Sequence, residues 1–198
     1  MPSLVGSEMC IRDRKMFDYQ KEKEPVTNKA LVRAMAMAFS TSETNANMGT
    51  IAAAPTAGSS GILPAALMAM SDKFDLDDDV LINGLLTAIG IGQIIGKYAT
   101  FAGAEGGCQA ECGSASAMAA GAIVEMLGGT VEEALNAASI TFINVMGLAC
   151  DPIAGLVEYP CTFRNSSGVM NSLISVDMAM AGIKSIVPFD EVCQAMGC

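Results

Sequence analysis

The chain of 198 residues contains no histidine and no tryptophan, and only 5% of it is aromatic. Without histidine there is no Ser-His-Asp or Cys-His nucleophilic site, and a catalytic zinc lacks its commonest ligand. Any catalysed proton transfer falls to Lys, Asp, Glu, Tyr, an alkoxide or a group from another chain. Cations are scarce too: 11 Lys and Arg stand against 21 Asp and Glu, a formal charge of −10. Phosphate binding needs clustered Lys and Arg, so no nucleic-acid partner is expected. No signal peptide is visible at the start. The most apolar stretch, Val80 to Ala104, is interrupted by Asn83, Thr87, Gln93, Lys97 and several glycines. A lipid-facing span rarely carries such groups. The stretch therefore reads as a buried core helix of a cytoplasmic protein, with no membrane partner.

What is present points to helices. Hydrophobic residues make up 52% of the chain, and they are mostly small or flexible, with 15 Met among them. Ala, Leu and Met favour helix, and no run of alternating apolar and polar residues demands a sheet, so the fold class is all-α. The length suits one domain. Residues 1–14, MPSLVGSEMCIRDR, show no helical period and resemble a translated sequencing adapter; they read as a non-native leader. Residues 15–27 are charged and read as a linker or a frayed helix. Helices are expected over about 28–46, 64–71, 80–100, 114–127, 130–147, 169–186 and 189–196, with a capping box at Thr130 and Glu133. The acidic run Asp72 to Asp79 reads as a solvated turn that caps the next helix; a Ca²⁺ loop would need a Gly and a distal Glu that are missing.

Seven cysteines, an odd count, argue against a disulfide framework and towards reduced thiols, metal ligands or catalysis. Three irregular segments, 49–61, 101–113 and 149–168, hold Cys108, Cys112, Cys150 and Cys161. Cys108 precedes a helix, where the N-terminal dipole and free N–H groups favour a thiolate. Glycines at 103, 106, 107 and 113 allow close backbone approach. Cys150 and Cys161 bracket a loop stiffened by Pro152 and Pro160. This spacing matches no compact ferredoxin run. A zinc site using Cys108 and Cys112, one helical turn apart, stays open beside an iron–sulfur site, and Cys112 is equally readable as a spare core thiol.

The blocks NANMGTIAAAPTAGSSGILP, EGGCQAECGSASAMAAG and GLACDPIAGLVEYPC, in that order, resemble the signature segments of the oxygen-sensitive iron–sulfur L-serine dehydratases, in their alpha chain or fused alpha domain. The resemblance runs from about residue 28 to 198. It implies an all-helical catalytic domain with cluster ligands on interhelical loops, truncated at its C-terminus. It implies a [4Fe–4S] cluster on Cys108, Cys150 and Cys161, whose open iron acts as a Lewis acid while L-serine is dehydrated and deaminated to pyruvate and ammonia. It further implies substrate contacts from Pro55, Thr56, Ala57, Gly58 and Ser59, with Asn47 along the same wall. Arg164 is a candidate for the substrate carboxylate, and Lys97 and Glu105 are candidate acid–base groups. A beta chain or beta domain and an oligomeric assembly are the expected partners. Two other readings stay open: a related iron–sulfur lyase such as an L-cysteine desulfidase, and a non-catalytic, zinc-stabilised helical domain.

Overall fold

A computed structural model of the chain describes residues 11–150 and 158–197. Among these residues there are eight helices and no strand: α1 (Ile11–Glu22), α2 (Lys29–Ala46), α3 (Ile62–Phe74), α4 (Asp78–Tyr98), α5 (Gly103–Met126), α6 (Val131–Ile143), α7 (Glu158–Met180) and α8 (Phe189–Gly197). The all-α expectation holds. Cys10, Pro152 and Cys198 lie outside the described residues.

α5 is the axis of the fold. From Ala115 to Val124 every residue is buried, and most are Ala, Ser or Gly. A helix apolar all round belongs in the interior, and its small side chains let α3, α4, α6, α7 and α8 all pack on it. The closeness has a cost in tolerance. A Cβ at Gly121 would run into Ile91 of α4, and one at Gly113 would lie 3.1 Å from Phe142 of α6. Phe142 is fully buried and packs against Phe189 of α8 at 6.1 Å between ring centroids.

The local signals for helix ends are met. Asn28 and Asp77 accept from the N–H groups of Leu31 (2.9 Å) and Val80 (3.0 Å), which satisfies first-turn donors of α2 and α4. At α6 the box is reciprocal: Thr130 N–H donates to Glu133 Oε2 at 2.7 Å, and Thr130 Oγ1 accepts from Glu133 N–H at 3.2 Å. Thr130→Ala is therefore expected to lower unfolding free energy by about 1 kcal/mol, visible as a lower urea midpoint with unchanged slope.

Four expectations need correction. Residues 11–14, read as lacking helical period, open α1, which continues through the segment read as a linker or a frayed helix to Glu22 and packs along α2; Arg12 pairs with the buried Glu43 at 2.9 Å. The segment 101–113, read as irregular, is helical from Gly103, because its glycines serve close packing and only Gly107 departs from helical dihedrals. Cys161 is not on a loop: α7 begins at Glu158, and Pro160 fits a first turn where its missing N–H costs nothing. Finally, α4 is not a buried helix. It is long and apolar enough to cross a membrane by length and composition, and only 28% of that stretch is buried. Ile82, Leu86 and Ile89 are each more than half exposed and share one face.

Candidate functional site

Three parts of the chain meet at one end of α5. At Gly107 the backbone turns to φ 74°, ψ −173°, a region that essentially only glycine occupies. The turn restarts the helix at Cys108 and brings the α6–α7 connection against it. A Cβ at Gly107 would stand 3.0 Å from Leu148 O and 3.3 Å from Cys150 N. Gln109 then clamps that connection on both sides: its N–H donates to Leu148 O at 2.9 Å and its Oε1 accepts from Gly147 N–H at 2.8 Å. From α7, Arg164 donates to Ala149 O at 2.9 Å. Cys150 is thus held next to Cys108 by contacts to the three residues that precede it.

The thiols gather around Cys108. Its sulfur is hydrogen-bonded by Cys112 and Cys161 and lies beside the Arg164 guanidinium, which together hold it well below the ordinary thiol range. The same hydrogen bonds, with burial added, push Cys112 and Cys161 up. Cys150 is raised by local desolvation and then by the charge on Cys108. Cys108, Cys112 and Cys161 are buried, while Cys150 is exposed. Among the described residues no three ligand-type side chains converge on one point as the ligands of a single ion do. Thiolates on a multi-iron cluster each bind a different iron, so they need not converge.

The Pro55–Ser60 loop closes the other side. Ala57 O accepts from Asn45 Nδ2 (3.1 Å) and Ser60 Oγ (2.8 Å). Asn165 of α7 binds three backbone groups: it donates to Gly58 O and Cys161 O, both at 2.7 Å, and accepts from Gly61 N–H at 2.9 Å. Thr56 Oγ1 donates to Glu111 Oε1 at 2.5 Å and lies 2.9 Å from Ser59 Oγ. A hydroxyl has one proton, so Ser59 must be the donor to Thr56, and the chain runs Ser59 to Thr56 to Glu111. The Thr56 proton is committed to that carboxylate and the Ser59 proton to Thr56. A cavity of about 170 Å³ lies between, lined by Ser42, Asn45, Ala46, Gly58, Glu111, Cys161 and Thr162.

The other expected site residues fall elsewhere. Asn47 caps the end of α2, donating to Glu43 O at 2.7 Å. Lys97 lies over the Tyr98 ring at 4.8 Å, and Glu105 accepts from Thr100 Oγ1 at 3.0 Å. These two line a separate open pocket with Gln109 and Met196. The charged side chains that act on the four thiols are Arg164 and Glu111. Glu111, Gln109 and Asn165 escaped the sequence reading. A signal for Glu111 was present: a lone charge between two cysteines, one turn beyond Cys108, in a helix otherwise built of small residues.

Such a molecule is a helical protein with a thiol-lined centre beside a carboxylate-walled cavity. It belongs to the serine dehydratase alpha-chain family, whose model matches residues 5–198. It is 67% identical over 184 residues to the L-serine dehydratase alpha chain of Peptoniphilus asaccharolyticus, covering 93% of this chain and 63% of that protein. It is 48% identical over 182 residues to a probable L-serine dehydratase alpha chain of Bacillus subtilis (strain 168), covering 92% of this chain and 61% of the relative. Against an L-serine dehydratase of Helicobacter pylori (strain ATCC 700392 / 26695) the identity is 36% over 200 residues, covering 98% of this chain and 44% of the relative. The chain thus spans less than two thirds of the length of each of these relatives.

Proposed function

We propose that this chain is the catalytic part of an L-serine ammonia-lyase that works with a beta chain or domain and carries a [4Fe–4S] cluster on Cys108, Cys150 and Cys161. The observation that carries the reading is the meeting of Cys150 and Cys161 at Cys108, with Arg164 beside them. The donor set suits the group: soft thiolates, a backbone free of side chains at Gly107, and a thiol already inclined to ionise at Cys108. When bound, the cluster supplies a Lewis-acidic iron that stabilises the charge of the departing hydroxide.

The protein's own groups do the rest. Arg164 presents a planar, permanently charged donor fork beside Cys108, suited to the carboxylate of the amino acid. The Gln109 clamp holds the loop of Cys150 in register, so the thiols keep their spacing. The burial of Cys108 and Cys161 excludes water on the α5–α7 side, which strengthens each electrostatic contact there.

The test is anaerobic reconstitution with iron and sulfide, then an iron count, a visible spectrum and an assay of pyruvate from serine with a beta chain added. About four irons per chain are expected, lost on Cys108→Ala, Cys150→Ala or Cys161→Ala and retained on Cys112→Ala. A helical chain that takes up only zinc, or nothing, ends the proposal. Release of sulfide from cysteine with no turnover of serine would reassign the substrate.

A further inference from the structure

We propose that Glu111 reads the amino group of the substrate, taking its ammonium at the carboxylate wall of the small cavity; this deepens the reading above and rests on it. The carboxylate is built in, not incidental. Thr56 holds Oε1, Ser59 holds Thr56, and the two glycines beside it are cleared for it: a Cβ at Gly58 would stand 2.5 Å from Oε1 and one at Gly103 2.9 Å from Oε2. Among the described residues no Lys or Arg forms an ion pair with it. A half-buried anion held by one hydroxyl, with no ion pair among the described residues, favours a cation from outside.

The rest of the wall matches an ammonium in number and kind. Ser42 Oγ is buried without a hydrogen-bond partner. Asn45 uses its Nδ2 on Ala57 O, leaving its Oδ1 to accept. Glu111, Ser42 and Asn45 thus offer three acceptors on one cavity, and an ammonium has three donors. The cavity, about 170 Å³, falls below the roughly 300–1,000 Å³ of drug-sized sites and admits only a small ligand. Cys161 lines it as well, so a molecule held there lies next to the thiol centre. Glu111 and Arg164 both act on Cys150, so one anion and one cation flank the centre, the complement of a zwitterion. The Thr56 and Ser59 hydroxyls therefore serve the substrate's cation through Glu111, not its carboxylate directly.

L-alanine and L-lactate separate this from other roles, since they share a carboxylate and a methyl and differ in ammonium against hydroxyl. The anaerobic holoenzyme is titrated with each by calorimetry and as an inhibitor of serine turnover, with iron counted in parallel. Wild type is expected to prefer alanine at least about tenfold, as a charge-assisted contact of about 1.5–3 kcal/mol implies. Glu111→Gln should bring the ratio near one with iron unchanged, and Glu111→Asp should keep most of it. Should Glu111→Gln lose iron and helicity, Thr56→Val, which keeps the charge and removes its clamp, is expected to cut the preference several-fold. Retention of the full preference in Glu111→Gln, or in Thr56→Val where that variant must stand in, overturns the role of Glu111 while leaving the lyase reading intact. A wild-type holoenzyme that turns over serine yet binds neither ligand overturns the role of Glu111 alone, and one that also fails to turn over serine sinks both.

Discussion

Replacing Gly107 with alanine is expected to abolish iron loading while leaving the helices in place. Two effects combine. The dihedrals at Gly107 cost an L-residue on the order of 1–3 kcal/mol. The added methyl also meets backbone, not a flexible side chain: Leu148 O at 3.0 Å, Ala149 Cα and Cys150 N at 3.3 Å. Relief requires the loop of Cys150 to move out, and the Gln109 clamp opposes that movement. Circular dichroism should remain helical, the thermal midpoint should fall, and iron per chain after reconstitution should drop to near zero. An alanine variant that binds iron like wild type would show that the Cys150 loop does not depend on this contact.

Asn165→Ala carries the largest expected loss of stability. Asn165 is fully buried, and its amide is the joint between α7 and the Pro55–Ser60 loop. Truncation leaves the buried Gly61 N–H without its acceptor and Gly58 O without its donor. An abandoned buried group costs about 1–3 kcal/mol, so a loss of about 2–4 kcal/mol is expected in urea unfolding. Loop amides around Gly61 should also exchange faster with deuterium. Asn165→Asp is no rescue, since it keeps an acceptor for Gly61 but places an oxygen against Gly58 O. A change under about 0.5 kcal/mol, ordinary for a surface site, would mean that water replaces the amide without loss.

Legibility in the sequence followed the range of the interaction. α2, α3 and α6 and the caps at Asp77 and Thr130 depend on residues within a few positions of each other, and periodicity and capping chemistry located them. The cysteines were legible because their type is chemically narrow. Glycine was not: at 113 it marks close contact with Phe142 of α6, at 103 it clears space for the Glu111 carboxylate, at 107 it makes a true change of backbone direction, and the letter is the same in each case. Glu111 was marked only by its place between two cysteines, and its partner Thr56 lies 55 positions away. Lys97 and Glu105 drew attention as lone charges near the cysteines, yet their partners are an aromatic ring and a hydroxyl. The apolar stretch of α4 suggested burial, but hydrophobicity alone does not say which face finds a neighbour.

The amide of Asn165 also sets an order of events during synthesis. Gly61 and Gly58 lie 104 and 107 positions before it. At about 5–20 residues per second, the ribosome makes the loop roughly 5–20 seconds before the side chain that fastens it. Over that interval α2 and α3 can pair as soon as they emerge, but the cavity beside α2 still lacks the wall that Cys161 and Thr162 of α7 give it. The thiol of Cys161 arrives only four residues ahead of Asn165, so the fastening of the loop and the completion of the sulfur set are nearly one step. A nascent chain therefore has neither its third clustered thiol nor its fastened loop until α7 has been made.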